Sequence, residues 1–211
     1  MTAYVYGVLH DDIGNVFIGS KFEKGYFFWE NGAGAIVPAG QWLNGSGKSA
    51  LPGGKRERGE TIEAGARREF YEETGVRIDA DAQVRERSWE YFDEKEGATN
   101  TYEAAYFRVS TARLKAIAAD IAGNLAAGVQ AQQQLIREQG NPTITTYAAL
   151  RAAYPQAPPA NELDRGSLMN LTAHWDWVEI ESWKQQRLLG WFHTILAHLK
   201  NVILVELAPP K

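Results

Sequence analysis

Residues 53–76 read "GGKRERGETIEAGARREFYEETGV". Thr61 offers an N-cap hydroxyl and Gly75 suits the left-handed residue that follows a helix, so a helix is expected from about Thr61 to Thr74. At 100° per residue, Glu69, Glu72 and Glu73 then share an arc of about a quarter-turn. That grouping opposes the helix in two ways. Glu69 and Glu73 are like charges four residues apart, which repel. Glu72 and Glu73 occupy the last turn, where a carboxylate opposes the helix dipole by roughly 0.3–1 kcal/mol. Ile62, Ala66 and Phe70 lie beside Glu69 and Glu73 on the wheel, so the acids flank the buried stripe. A divalent cation relieves each conflict, because Mg²⁺ and Mn²⁺ prefer carboxylate oxygens. The ordinary alternative is a solvated acidic face partly balanced by Arg67 and Arg68.

The rest of the chain narrows the setting. Its 211 residues suit one domain with an elaboration. There is no cysteine, which removes disulfides and thiolate metal sites and is compatible with a reducing compartment. A net charge of −4 argues against a duplex nucleic acid partner, though local cations can still hold a small nucleotide. The start, "MTAYVYGVLHDD", lacks a secretory pattern, and no apolar run approaches the roughly 18 residues of a membrane span. The expectation is a soluble, cytoplasmic protein with no membrane partner.

Along the chain, residues 3–9 and "VFIGSK" read as a hairpin turning on Asp12 and Gly14. The glycine-rich, aromatic run 25–49 reads as a long loop with short strand pieces. Residues 83–92 and 101–109 form a second expected hairpin. From Ser110 the spacing of Leu114, Ile117, Ile121 and Leu125 predicts a helix running to about Gln139, with Gly123 and Gly128 as weak points. A short helix follows at "TTYAALRAAY", then a proline-rich linker, "PQAPPANELDRGS". "HWDWVEIES" reads as a strand, and residues 182–200 as a final helix with Leu188, Leu189, Phe192, Ile195, Leu196 and Leu199 on one side. This mixed order favours an α+β or α/β/α sandwich over a doubly wound sheet.

The stretch 54–76 resembles the Nudix box, G-x5-E-x7-R-E-U-x-E-E-x-G-U, in Gly54, Glu60, Arg68, Glu69, Glu72, Glu73, Gly75 and Val76. Phe70 stands where the pattern has a bulky aliphatic. The resemblance is tight over 51–76 and loose over 3–109 and 172–205, where "LPGG" and "WDWVEI" carry it. It implies a Nudix fold, an α/β/α sandwich around a mixed sheet, over a single domain spanning 1–211 with a helical insertion at about 110–160. It also implies hydrolysis of a nucleoside diphosphate linked to another group, by water attack at phosphorus. Glu69, Glu72 and Glu73, with a backbone carbonyl of Gly53 or Gly54, would hold Mg²⁺ or Mn²⁺. Glu60 and Arg68 would be an orienting ion pair. The general base implied is Glu69 or a glutamate outside the box, with Glu162 the first candidate and Glu103 the second. The alternatives are a nucleotide-metabolite sensor on the same fold, disfavoured by the intact box, and an isomerase, disfavoured by the lack of cysteine. Nucleoside triphosphates, ADP-ribose, dinucleoside polyphosphates and nucleotide sugars all stay open as substrates.

Other signals fall away. "GSGKS" at 45–49 lacks the first glycine of a phosphate loop, since Trp42 stands there, and "GAGAIV" lacks the third glycine of a dinucleotide loop. Tyr26, Phe28, Trp29 and Trp42 read first as core or contact residues and second as rings that sandwich a base. The apolar stripe of the 110–139 helix must be buried. It is expected near the substrate opening, against the chain's own core or against a second subunit in a homodimer.

Overall fold

The structure is a computed structural model and describes residues 2–30, 32–93, 97–184 and 190–207. Its strands are β1 (Ala3–His10), β2 (Asn15–Lys21), β3 (Lys24–Glu30), β4 (Ala33–Trp42), β5 (Ser49–Ala50), β6 (Gly53–Lys55), β7 (Gln83–Asp93), β8 (Ala98–Arg108) and β9 (Leu163–Asn170). Its helices are α1 (Ile62–Thr74), α2 (Thr111–Arg137), α3 (Tyr147–Ala153), α4 (His174–Trp183) and α5 (Gly190–His198); α5 passes through a π-helical turn, Leu199–Ile203, into α6 (Leu204–Leu207). The main sheet runs β5–β2–β1–β8–β7, with β6 also on β1 and β9 on β2. The β1–β8 pair is parallel and the other pairs are antiparallel, so the sheet is mixed.

Alternation along the strands decides which helices cover which face. Val5, Leu9, Phe17, Ala105 and Phe107 pack under Ala66 and Phe70 of α1 and Leu114, Ile117, Ile121 and Leu125 of α2. Tyr6, Val8, Ile18 and Tyr106 face the other way, onto Ile180, Trp183, Phe192, Ile195 and Leu196. The result is the expected α/β/α sandwich. Much of the aromatic excess belongs to this second face, where Trp191 stacks on Tyr6 at 4.2 Å and on Tyr102 at 5.3 Å between ring centroids. The stripe of α2 is buried in the chain's own core, not left for a partner. Gly123 and Gly128 do not break that helix. Among the described residues, no helix is long and apolar enough to cross a membrane.

Four local expectations are corrected. The run 25–49 is mostly the regular hairpin β3–β4. Its glycines allow close approach: a Cβ on Gly34 would lie 2.0 Å from the Tyr147 ring, and one on Gly25 would meet Phe28 at 2.4 Å. The hairpin has its own core, with Tyr26 and Phe27 against Ala131, Leu135, Ile144 and Leu150. Secondly, "HWDWVEIES" forms α4. Its buried residues Ile180 and Trp183 are three apart, and Asn170 Oδ1 accepts from Thr172 N and Ala173 N just before it. The missing strand is β9, inside the supposed linker, drawn into register along β2. Thirdly, the first turn is organised by Asp11, whose Oδ1 accepts from Ile13 N and Asn15 N; Asp12 pairs instead with Arg108. Gly14 does adopt positive φ there. Lastly, the single helix over 182–200 is replaced by α4 ending at Trp183 and α5 starting at Gly190. Leu188 and Leu189 lie outside the described residues.

Because α2 closes the core beside α1, it should be indispensable to stability. Ile121→Ala, at a fully buried site, is expected to lower the unfolding free energy by about 2–5 kcal/mol in denaturant titrations. Lys115→Ala, on the exposed face of the same helix, should stay within about 0.5 kcal/mol of the parent.

Candidate functional site

Helix α1 is capped as its sequence demands. Thr61 Oγ1 accepts from Ala64 N at 3.1 Å, and Gly75, at φ 72°, donates its N–H to Tyr71 O at 2.8 Å. Phe70 fills the aliphatic position of the box because Gly7 leaves room for it. A Cβ on Gly7 would come within 3.1 Å of the Phe70 ring. With Phe70 inward, Glu69, Glu72 and Glu73 are carried into the seam between α1 and the strands β6 and β1, and all three are buried. Gly54 permits this: a Cβ there would lie 2.7 Å from Glu69 Oε2. Gly53 is pinned just as tightly, against Tyr6 and the Val5 carbonyl.

Arg68 orders the outer part of the cluster. Its Nε and Nη2 grip Glu60 at 2.8 and 3.0 Å, while Nη1 donates to Glu69 Oε1 at 2.8 Å and Glu72 Oε2 at 3.2 Å. Glu60 also accepts from Glu57 N at 2.8 Å, so the loop before α1 is tied to the helix. The expected Glu60–Arg68 pair is therefore present, and its guanidinium reaches two of the box carboxylates as well.

Glu73 is the inner acid. It is 1% exposed, and neither carboxylate oxygen has a hydrogen-bond partner. Its nearest cation is Lys21, whose Nζ lies 3.9 Å from Glu73 Oε1 and 2.7 Å from Glu162 Oε2. Lys21 was not singled out by the sequence. It is simply the last residue of β2, and the β2–β9 register sets it opposite Leu163, next to Glu162. The same pairing brings Glu162 to the box. Glu103 approaches from β8 but is held by Arg56, Nε to Oε2 2.6 Å.

The electrostatics follow from this burial. Desolvation pushes the Glu69 carboxyl up to about 7, against the pull of Arg68 and with help from Glu72 and Glu162. Glu72 is likewise pushed up to about 7 by burial, again opposed by Arg68. Burial drives Glu73 well above the usual carboxylate range; Lys21 opposes this, and so does the nearby Gly53 N–H, without closing a hydrogen bond of normal geometry. Burial alone would lower Lys21, yet Glu73 and Glu162 outweigh it and keep the ammonium charged.

Among the described residues, no three acids or histidines converge closely enough to hold an ion as they stand. The reason is visible: Arg68 draws Glu69 and Glu72 outward, while Glu73 faces Lys21. The donor set nonetheless suits a hard cation. It is all carboxylate and carbonyl oxygen, and Glu73 presents two buried oxygens that no hydrogen bond satisfies.

Residues 29–124 match the family model of the NUDIX domain, so the chain carries that domain, and its α+β architecture is the Nudix fold. No curated protein matches the chain. Among solved structures, it is similar to a NUDIX hydrolase from Nitrosomonas europaea, with 14% identity over 94% of this chain and 89% of that one, at a TM-score of 0.46. A mutT/nudix family protein from Listeria innocua shows 13% identity over 96% and 97%, at a TM-score of 0.42. A bifunctional NMN adenylyltransferase/ADP ribose pyrophosphatase from Francisella tularensis shows 19% identity over 51% of this chain, at a TM-score of 0.37, and the match spans 27% of that protein.

The raised carboxyls give a signed pH dependence. Below about pH 4.5 these glutamates are protonated both folded and unfolded; as pH climbs to about 7 the folded chain alone still holds the protons, and then loses them. Their contribution to stability is thus present at low pH and lost through about pH 7. In EDTA, melting temperature should fall between pH 5 and pH 8, and Glu69→Gln should visibly shallow that fall. An unchanged slope in the variant would show that Glu69 is not held in its protonated form.

Proposed function

We propose that this chain is a divalent-cation-dependent pyrophosphohydrolase, cleaving a nucleoside diphosphate linked to another moiety by water attack at phosphorus. The observation that carries the reading is Glu73, a buried carboxylate with no hydrogen-bond partner, at the inner end of a complete Nudix box. Glu69, Glu72 and Glu73, with the Gly53 carbonyl, would hold Mg²⁺ or Mn²⁺. When bound, the cation neutralises diphosphate charge and makes a bound water more acidic. Arg68 keeps Glu69 and Glu72 from spreading apart and ties the loop at Glu60 to them. Glu162 is the proton acceptor for the attacking water, held toward the box by its 2.7 Å bond to Lys21. Glu103 is excluded from that role by its pairing with Arg56. Gly54 and Gly75 are structural, the first making room for Glu69 and the second ending α1.

Two experiments test this reading. Glu73→Gln removes a charged ligand, so turnover on any accepted substrate should drop at least about 100-fold, while stability in EDTA is kept or raised. Full turnover in the variant, or in excess EDTA, sinks the proposal. Hydrolysis in ¹⁸O water should label a phosphorus product and leave carbon–oxygen bonds unlabelled. Glu162→Gln should cost about 10²–10⁴-fold in kcat with little change in KM, as expected for a lost general base.

A further inference from the structure

Outside the box, α1 presents a second stripe. Ala64, Arg67, Arg68 and Tyr71 follow one another at helical spacing and face away from the sheet. They form one side of a groove of about 850 Å³, within the usual range for a small-molecule site. Arg77 and Glu72 complete that side, and Trp29 of β3 lines the same groove. The guanidinium of Arg77 lies over the Tyr71 ring, 4.1 Å from its centroid. No carboxylate among the described residues lies within ion-pair distance of Arg77.

Trp29 is placed there by its neighbours. It pairs across the hairpin with Gly34, whose missing side chain seats the Tyr147 ring. Tyr147 is anchored by donating its hydroxyl to Pro159 O at 2.9 Å, and it backs the Trp29 indole at 5.6 Å between centroids. Tyr26 and Phe28, the neighbouring rings in the strand, are buried, and Trp42 is 66% exposed on the far end of the hairpin beneath Lys24. Of the four aromatic residues in this segment, Trp29 is therefore the one that enters the groove.

We infer that this groove is a nucleobase subsite, in which a planar base stacks against Trp29 and faces the Arg77–Tyr71 pair, with its diphosphate directed to Glu72 and the acids behind it. Three observations converge. The groove is continuous with the box, since Arg68 and Glu72 belong to both. Its walls are an indole and a guanidinium–phenol stack, the two surfaces that hold bases without reading their edges. A third ring, Tyr147, fixes the indole from behind. The inference rests on the pyrophosphohydrolase reading and narrows its substrates to those carrying a base.

The test uses two non-hydrolysable ligands with Mg²⁺ and the full chain: α,β-methylene-ADP, which carries a base, and methylenediphosphonate, which does not. Calorimetry should show at least tenfold tighter binding of the nucleotide. Trp29→Leu should weaken nucleotide binding about tenfold, the range for loss of one stacked base, and Trp29→Phe should restore most of it. Neither should alter methylenediphosphonate binding. Tyr71→Leu, on the solvent side of α1, should give the same selective loss and covers the case in which Trp29→Leu misfolds. Equal affinity of the parent protein for the two ligands, or nucleotide affinity untouched by both leucine variants, overturns the subsite. If metal-dependent hydrolysis persists in that event, the pyrophosphohydrolase reading stands without it. Selective nucleotide binding with no hydrolysis supports the subsite and overturns that reading instead.

Discussion

Helix α1 lies against the central sheet at a distance that ordinary side chains would prevent. Four glycines line that contact. Gly7 underlies Phe70, Gly53 abuts Tyr6, Gly54 lies beneath the Glu69 carboxylate, and Gly65 meets Val5 Cγ1 at 3.0 Å from where its Cβ would be. Close approach buries the acids of α1, and burial sets everything else about them. In water three neighbouring glutamates would repel modestly. Here the loss of hydration outweighs that repulsion, and the chain meets it with Arg68 on the outer side and Lys21 on the inner.

The two cations act differently. Arg68 offers a rigid fork, so it bridges Glu60, Glu69 and Glu72 and couples a loop to a helix. Lys21 is a point charge at the end of a strand, shared between Glu73 and Glu162. It therefore links the box to β9, a strand nearly ninety residues further along the chain. The position of Glu162 is a matter of sheet register: a one-residue slip between β2 and β9 would turn Leu163 out of the core along with it.

What could be read from the sequence and what could not divide along physical lines. Helix α1 and its caps were legible because local rules govern them: a threonine hydroxyl, a left-handed glycine, and a spacing of three and four. Helix α2 was legible because its stripe is long and regular. The β3–β4 hairpin was not, because glycines that serve close packing look the same in a sequence as glycines that serve flexibility. Only the Tyr147 ring above Gly34 distinguishes them. Strand β9 has a weak alternation of its own and exists through its pairing with β2. Helix α4 misled because "WDWVEIE" alternates, while its burial follows Ile180 and Trp183. Of the site, the box acids and Glu162 were visible; Lys21 was not, since nothing local marks a lysine that a distant strand will bring to a carboxylate.

The two walls of the α1 groove belong to different cores. The acids and Tyr71 ride on α1, which is rooted in the cluster of Phe70, Phe107 and Ile121. Trp29 rides on the hairpin, which is rooted in the smaller cluster of Phe27, Leu135 and Leu150. Sequence drift within that smaller cluster can reshape one wall while the carboxylates keep their places. The molecule is thus divided into a part where substitution alters chemistry and a part where it alters selectivity, and the long α2, whose first half enters one cluster and second half the other, is the shaft on which both are mounted.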